Sequence, residues 1–218
     1  MFIWSDTFNT NIELIDLQHK NLFQLLNKLS LSIKQDEIRY EDVNNSIKLL
    51  IHYTENHLHD EELLMLESRI DARHLTRHRM EHNSFLYDVG LFSDITSSDD
   101  RRITGKAAKL VRFITYWLIF HILGTDMLMS AQLNNIKAGM SPQQAFDKLK
   151  DHTIDPATVN IMLDAIINLW LDAKERCNQM DLKITELEKK IESLQSKQES
   201  SSTSQLEDSV LELDWFIK

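Results

Sequence analysis

The 218-residue sequence has few of the residues that interrupt helices: it contains four glycines and two prolines. Both prolines, Pro142 and Pro156, lie beyond residue 140. So few turn-forming residues argue against a fold of many strands and favour long helices with short connections. Cysteine is almost missing as well. Cys177 stands alone and cannot form an internal disulfide bond, which fits a reducing compartment.

The sequence also lacks an excess of positive charge, a long apolar run and a targeting segment. Its 24 Lys and Arg against 34 Asp and Glu give a formal charge of −10, which disfavours nonspecific nucleic-acid binding. No run of about 18 uncharged apolar residues is found, so we expect no membrane span. The N-terminus has neither the basic start nor the apolar core of a signal peptide. These absences predict a cytoplasmic protein.

Hydrophobic residues recur at helical spacing in four segments, at about residues 12–34, 40–68, 71–92 and 100–134. The stretch SDITSSDD supplies capping residues before the fourth segment. Four helices joined by loops of a few residues predict an all-α fold, an antiparallel up-down four-helix bundle over residues 1–135. Residues 136–157 contain Gly139 and both prolines and are predicted to form a connector with one short helix.

A second hydrophobic period occupies residues 158–197, where apolar residues alternate spacings of four and three. This heptad pattern predicts a long C-terminal coiled-coil helix and favours a homodimer over a helix folded back on the bundle. Residues 198–218 are predicted to be a flexible linker followed by an acidic amphipathic tail, to which no role is assigned. The apolar heptad positions are Val159, Leu163, Ile166, Trp170, Ala173, Cys177, Met180, Ile184, Leu187, Ile191 and Leu194.

Five of the nine histidines fall on the apolar faces of the four bundle segments, together with two carboxylates. Two pairs have the i, i+4 spacing that places side chains on one helix face, and a third pair is five residues apart. The inward-facing candidates are His19, His57, Glu61, His78, His82, His121 and Asp126.

Burying so many polar groups without partners would cost roughly 2 kcal/mol or more for each group. The sum would exceed the net stability of a typical domain, about 5–15 kcal/mol. Bound cations remove this difficulty, and mixed imidazole and carboxylate ligands suit iron, zinc, copper or manganese. Seven ligands are more than one tetrahedral site uses. The pattern therefore predicts two metal ions bridged by carboxylates.

The ordered set of motifs resembles the bacterial hemerythrins, four-helix bundles that bind oxygen at a non-haem di-iron centre. The resemblance covers residues 1–135. The residues that carry it are Trp4, Phe8, Asn11, Ile15, Asp16, Gln18, His19 and Lys20; His57, Glu61, Glu62 and Met65; His78, His82 and Phe85; and Trp117, Leu118, His121, Ile122 and Asp126.

The resemblance implies two iron ions joined by an oxo or hydroxo bridge, with dioxygen binding at an open position on one of them. Neighbouring apolar residues would exclude water from the bound oxygen; the candidates are Trp4, Ile15, Phe23, Trp117 and Ile122. The implied ligands are His78, His82 and His121 on one ion, His19 and His57 on the other, and Glu61 and Asp126 as bridges.

One interval departs from the family pattern. Glu61 and His78 are seventeen residues apart, whereas the family usually has fifteen, and His74 also stands four residues before His78. We favour His78 and His82 as ligands because Leu75 and Phe85 flank them as in the family. His74 is then expected to face solvent or the loop. His52, His59 and His152 are expected not to be ligands.

Three functions fit these patterns. The bundle could be an oxygen or redox sensor that signals through the coiled coil to a partner or output domain, which is the reading we favour. It could be an oxygen carrier, store or scavenger in which the heptads only dimerise the chain. A di-iron oxidase or peroxidase is disfavoured, since such enzymes take a Glu-x-x-His pair from each of two helices. We expect a protein that is not an enzyme.

Overall fold

The computed structural model describes residues 2–34, 40–90, 100–151 and 153–215, with side chains described outside 40, 100–104, 151 and 196–215. All regular structure in these residues is helical, and no strand occurs among them, which confirms the all-α prediction. The capping residues predicted at 93–99 lie outside the described residues, as does His152.

The four predicted bundle helices are present, and the fourth carries an interruption. The elements, in chain order, are α1 (Glu13–Ser32), α2 (Tyr40–Glu67), α3 (Ala72–Gly90), α4 (Asp100–His121), a π-helical segment (Ile122–Asp126), α5 (Met127–Lys137), α6 (Pro142–Asp147) and α7 (Pro156–Trp215). In the bundle, α1 packs beside α2 and α4, and α2 packs beside α3. Short 3₁₀ turns at Asp6–Phe8 and Lys148–Asp151 complete the structure.

The core forms where the apolar faces of the four helices meet. Leu22, Leu26 and Leu29 of α1 are buried, as the helical spacing predicts. Phe85 of α3 lies with its ring centroid 4.0 Å from that of Trp117 on α4. These contacts surround the middle of the bundle with apolar side chains, so any polar group there is shielded from water.

An N-terminal arm closes one side of the bundle. The buried carboxylate of Asp16 accepts hydrogen bonds from the backbone N–H of Thr10 (2.7 Å), the hydroxyl of Thr10 (2.8 Å) and the backbone N–H of Asn11 (3.0 Å). This network holds the chain at Asn11, where φ is +61°. The arm preceding it stacks Phe2 on Phe23 and brings Trp4 within 6.3 Å of the ring of His19.

The helical stretch Gly105–Lys137 is long and apolar enough to span a membrane by length and composition, although the sequence predicts no membrane span. In the structure this stretch is a core element of the bundle. Leu110, Ile114 and Leu118 are fully buried there, and their contacts are with other bundle helices. Length and composition alone are therefore weak evidence for a span.

The chain forms two compact units, Met1–Leu169 and Trp170–Lys218, so the first turns of α7 belong with the bundle. The sequence predicts a coiled-coil helix over residues 158–197, and the turns of this helix within the first unit also pack on the bundle. On one face of this part of α7, Ala165 is buried and Met162 and Leu169 pack against the core of the bundle. The second unit is helical from Trp170 to Trp215.

The helix α7 continues to Trp215, whereas the sequence predicts a flexible linker and tail over residues 198–218. The reason lies in the composition of this part of the chain. No glycine or proline follows Pro156, and these are the residues that most strongly end helices. A serine-rich stretch lowers helix propensity only slightly, by tenths of a kcal/mol per residue, roughly, so it does not end the helix.

Candidate metal centre

The structure brings all seven predicted residues to one point in the middle of the bundle. Each of them is buried, with no more than 1% of its surface exposed. His19 comes from α1, His57 and Glu61 from α2, His78 and His82 from α3, His121 from the end of α4 and Asp126 from the end of the π segment.

The first group of ligand atoms lies on the side of α1. The Nε2 atom of His19 is 3.5 Å from Oε1 of Glu61 and 3.3 Å from Oδ2 of Asp126. The Nε2 atom of His57 is 3.4 Å from the same Oε1 of Glu61. Two imidazole nitrogens and two carboxylate oxygens therefore converge on this side.

The second group uses the other oxygen of each carboxylate. Oε2 of Glu61 lies 3.3 Å from Nε2 of His78 and 3.3 Å from Nε2 of His82. Oδ1 of Asp126 lies 3.2 Å from Nε2 of His121 and 3.5 Å from Nε2 of His78. Because both carboxylates present one oxygen to each group, their geometry is that of bridges between two neighbouring cation sites.

The distances fit coordination better than they fit hydrogen bonds. Charge-assisted N–H···O⁻ bonds are usually about 2.7–2.9 Å long, shorter than the 3.2–3.5 Å found here. Two ligand atoms at right angles, each about 2.1 Å from a cation, would lie about 3.0 Å apart. Several of these buried atoms also have no hydrogen-bond partner, among them Nε2 of His57, Oε1 of Glu61 and both oxygens of Asp126. The donor set thus fits a pair of metal ions.

Two histidines make the need for a cation explicit. The Nδ1 atom of His82 donates to Glu62 at 3.0 Å, and Nδ1 of His121 donates to Glu81 at 3.2 Å. In the neutral rings these bonds leave the lone pairs on the two Nε2 atoms, which lie only 3.1 Å apart. Two lone pairs at this distance repel each other unless a proton or a metal ion lies between them.

The outer hydrogen bonds orient the ligands, and sequence reasoning assigned them no role. Gln18 accepts from Nδ1 of His57 at 3.0 Å and itself donates to Asp60 at 2.7 Å. Glu62, which orients His82, is held by Arg79 at 2.9 Å. Such partners fix the ring orientation and the tautomer that turns Nε2 inward. The sequence could have indicated these outer partners, because each stands next to a ligand or about one helical turn from one.

The carboxylate of Glu81 is the third outer partner. It accepts from Nδ1 of His121 and from the hydroxyl of Thr125 at 2.6 Å, and Arg77 approaches its other oxygen at 3.2 Å. Burial opposes its charge, but the hydrogen bonds from His121 and Thr125 outweigh that effect and lower the pKa of Glu81 below its usual range. Glu81 therefore stays ionised and keeps the imidazole of His121 in place.

The π segment Ile122–Asp126 explains how His121 and Asp126 can act together. Five residues along an α-helix correspond to a rotation of about 500°, which would place the two side chains roughly 140° apart. A π-helical turn needs more residues per turn, so it returns a side chain at i+5 to nearly the same face. The spacing of five was visible in the sequence, but we did not infer a π segment from it.

His74 corrects one expectation. It was expected to face solvent or the loop, yet it is buried, with 3% of its surface exposed. Its Nδ1 atom donates to Oε1 of Gln132 at 2.8 Å, and its ring also hydrogen bonds with the backbone of Thr125 in the π segment. A buried amide and a carbonyl on a distant part of the chain satisfy the ring, which the sequence spacing cannot reveal. His52 and His59, which are expected not to be ligands, are exposed.

When no metal ion is bound, the pKa values of the site histidines are shifted in opposite directions. Burial disfavours the charged form of His19, but the hydrogen bonds and charges of Asp126 and Glu61 prevail and raise its pKa to about 9. Burial lowers the pKa of His57 to about 4, because the opposing effect of Glu61 is smaller. For His121, the carboxylate of Asp126 overcomes burial and raises the pKa well above its usual value. Protons on His19 and His121 therefore supply part of the positive charge that a metal ion would place beside Glu61 and Asp126.

The predicted apolar neighbours surround the site. Ile15, Phe23 and Ile122 are buried, and the ring of Trp117 stacks on that of His121 with a centroid distance of 4.3 Å. Trp4, on the N-terminal arm, lies over the His19 side. These side chains keep bulk water from the two groups of ligands.

Comparisons with known proteins agree with this geometry. A family model described as the hemerythrin HHE cation binding domain matches residues 10–133. The chain is 31% identical over 130 residues to a bacteriohemerythrin of Clostridium acetobutylicum, covering 58% of this chain and 96% of that protein. It is 26% identical to a bacteriohemerythrin of Stenotrophomonas maltophilia (61% and 82% covered) and 25% identical to a myohemerythrin of Theromyzon tessulatum (60% and 92%). No solved structure matches the chain.

We predict that replacing His121 by alanine lowers the metal content, whereas replacing His74 by alanine does not. The first change removes an inward nitrogen. The second breaks hydrogen bonds to Gln132 and Thr125 and should lower the free energy of unfolding by about 1–3 kcal/mol. Both variants are reconstituted with a divalent metal, and the metal bound per chain is measured by mass spectrometry. Loss of metal in His74→Ala with normal binding in His121→Ala would show that the ligand register is wrong.

We also predict that the metal-free protein is most stable near pH 6.5. The raised pKa of His19 gives stability that is complete below pH 6.5 and is lost as the pH rises through 9. The lowered pKa of His57 gives stability that is complete above pH 6.5 and is lost as the pH falls towards 4. Urea denaturation from pH 4 to 10 measures this. With metal bound, the decline above pH 6.5 should disappear because neutral imidazoles are the ligands; a flat metal-free profile from pH 6.5 to 9 would contradict the account.

Proposed function

Because this chain belongs to the hemerythrin HHE cation binding family, we propose that its buried site holds two iron ions and binds dioxygen reversibly. The observation that carries this proposal is the pair of carboxylates, Glu61 and Asp126, which each present one oxygen to two separate groups of imidazoles. Iron suits this donor set, since imidazole and carboxylate together favour metals of this class. When bound, two irons would supply redox-active metal for the reversible uptake of dioxygen.

The protein side of the proposal rests on an asymmetry between the two groups. One group contains three imidazoles, from His78, His82 and His121, and the other contains two, from His19 and His57. The group with fewer ligands leaves room for an additional one. Dioxygen is therefore expected to enter on the side of His19 and His57.

The surroundings of this side suit a small apolar ligand. Ile15 and Phe23 of α1 are buried there, and Trp4 covers His19 from the N-terminal arm. Apolar walls at these positions exclude water from a small apolar ligand. The arm is held by the hydrogen bonds of Asp16 to Thr10 and Asn11, so this network stabilises the cover over the site.

We propose binding rather than catalysis for two chemical reasons. Di-iron oxidases of the carboxylate type take a Glu-x-x-His pair from each of two helices, which stabilises oxidised iron with several negative charges. Here, with metal bound, five neutral imidazoles would accompany only two carboxylates, Glu61 and Asp126. Such a site has less negative charge to favour high-valent iron. An oxidase or peroxidase activity is therefore disfavoured.

The part of the chain beyond the bundle favours a sensor. The family model ends at residue 133, before α6 and α7 begin, and the curated relatives match about 60% of this chain. We infer that this extension is the signalling element. A change of ligation at the site would shift the bundle helices, and α7 would carry the shift through a homodimeric coiled coil to an output partner. A cytoplasmic setting fits the lone exposed Cys177.

An oxygen carrier, store or scavenger is the second candidate. It is favoured by the relatives whose names are bacteriohemerythrin or myohemerythrin, because their own chains are covered at 82–96% by the part that matches. In that case α7 would only associate two chains. Oxygen binding is common to both functions and is the first property to test.

We predict that the reduced, iron-loaded protein develops visible absorption bands when oxygen is admitted and loses them when oxygen is removed. Optical spectroscopy under controlled oxygen pressure measures this. His121→Ala is the control and should show weak bands or none, because one inward nitrogen is lost. Bands that never form in a protein containing two irons per chain would refute oxygen binding; steady consumption of oxygen with a reductant would instead indicate an oxidase.

A further inference from the structure

The first part of α7 has two apolar faces with different fates. The inner face packs on the bundle, with Ala165 buried and Met162 in contact with the core. The outer face carries the first heptad positions, and it is exposed: 36% for Val159, 49% for Leu163 and 41% for Ile166. Each inner-face residue stands one position before an outer-face residue, as Ala165 stands before Ile166. The inner face of α7 can therefore pack on the bundle while the heptad face stays exposed.

The same heptad register continues through the second unit with exposed apolar side chains. Ile184 and Ile191 stand at a positions, and Leu187 and Leu194 stand at d positions; all four are about half exposed, at 47–56%. Exposed apolar side chains in such a regular series are costly in water. β-Branched residues at a with leucine at d favour two parallel strands over three or four.

The charged residues beside this series show which partner fits it. The charged residues at g positions are Arg176, Lys183 and Lys190, and those at e positions are Lys174, Asp181 and Glu188. In a parallel pair, each g position faces the e position of the following heptad in the other chain. Arg176 then meets Asp181 of a second copy, and Lys183 meets Glu188 of that copy.

In an antiparallel pair, the charges at the g positions would repel one another. There, g positions face g positions, so the basic residues Arg176, Lys183 and Lys190 would meet one another. Within its own helix, Lys183 contacts Glu186 at 2.7 Å, but this pair is exposed and contributes little. It does not prevent Lys183 from pairing with a second chain.

We propose that two copies of this chain pair through α7 in parallel and in register, with the contact beginning at Val159 beside the bundle. The proposal deepens the homodimer of the proposed function by fixing its orientation and its extent. Parallel pairing places the two bundles at the same end of the coiled coil. The exposed outer face at Val159, Leu163 and Ile166 is then covered by the same face of the second copy.

A cross-linking experiment tests the orientation. Cys177 is first changed to serine, because it lies near the centre of the heptad series and would cross-link in either orientation. In this background, Leu187→Cys adds a thiol at a d position, and Lys189→Cys adds one on the outer surface as a matched control. A short bis-maleimide is expected to join most Leu187→Cys chains and few Lys189→Cys chains. A dimeric mass in solution without the Leu187→Cys cross-link overturns parallel pairing, and a monomeric mass overturns the interface.

Charge reversal and its rescue give an independent readout of the orientation. Changing Arg176 and Lys183 to glutamate should weaken a parallel dimer roughly tenfold, because it places acids against Asp181 and Glu188. Changing Asp181 and Glu188 to lysine in the same chain should restore the affinity. In an antiparallel dimer the first pair of changes would replace one set of like charges by another, and the second pair of changes would not restore the affinity. The oxygen spectrum, recorded on the same samples, separates failure of the interface from failure of oxygen binding.

A different contact links α7 to the metal site. Gly124 lies in the π segment, between His121 and Asp126. A Cβ atom placed on residue 124 would lie only 3.2 Å from Cε of Met162 on α7. Glycine therefore allows the side chain of Met162 to rest directly on the backbone of the segment that carries Asp126.

Such close packing leaves no slack between the two elements. Protein interiors are packed like crystals, so a shift of a few tenths of an ångström in one element displaces its neighbour. The π segment also binds the outer partners, since Thr125 donates to Glu81 and its backbone bonds to His74. A change at Asp126 thus has a direct route to α7.

The geometry points to Met162 as the contact through which the state of the site is passed to α7. This inference rests on the proposed sensor function. Its prediction concerns amide hydrogen exchange, which reports local opening of a helix. In the parent protein, loading the site with iron should slow exchange in residues 157–169 several-fold. Met162→Ala should abolish most of that difference while the protein still binds two irons.

Ile161→Ala serves as the matched control, because Ile161 is the neighbouring residue and is exposed. It should leave the effect of iron on exchange intact. Equal responses in Met162→Ala and the parent protein would overturn the role of Met162, whatever the oxygen spectrum shows. Absence of the oxygen bands in the parent protein would refute the proposed function and leave the mechanical contact to be judged by exchange alone.

Discussion

The structure depends on one constraint: five imidazoles and two carboxylates must share an apolar interior. The lone pairs on Nε2 of His82 and His121, 3.1 Å apart, show the constraint most clearly, because the outer hydrogen bonds to Glu62 and Glu81 direct both of them inward. Burying polar atoms without partners is expensive. A pair of cations would convert this cost into binding energy and would thereby stabilise the native arrangement.

The π segment is where the metal site meets the rest of the chain. It allows His121 and Asp126 to lie on one face despite their spacing of five. The backbone of Thr125 forms a hydrogen bond with His74, and the hydroxyl of Thr125 donates to Glu81. Gly124 lies next to the side chain of Met162. The π segment therefore sets the positions of the ligands, orients them through outer partners and contacts α7. π-Helical segments are frequently found at functional sites.

Much of this could be predicted from residue spacing. Helical periodicity placed His19, His57 and His78 on inward faces, since a face is a local property of the sequence. The environment of His74 could not be predicted, because its partner Gln132 is 58 residues away. Contacts of that range depend on how helices pack. The π segment could not be predicted for a different reason. A spacing of five residues indicates a π-helical turn only if both residues are known to lie on one face of the helix.

The extension shows the same limit. The heptad pattern correctly marked a long helix, but it could not show that the first turns dock on the bundle through a face one residue out of register. The serine-rich stretch suggested a linker, because composition is a weak guide where nothing actively breaks a helix. Composition describes propensity, whereas docking is decided by the surface that a neighbouring element offers.

The central claim is that the seven buried side chains hold two metal ions rather than one. Anomalous diffraction at the iron absorption edge, on crystals of the iron-loaded protein, tests it directly. Two separate peaks are expected in each chain, one beside His19 and His57 and the other beside His78, His82 and His121. A single peak shared by all five imidazoles, or density elsewhere in the bundle, would contradict the account.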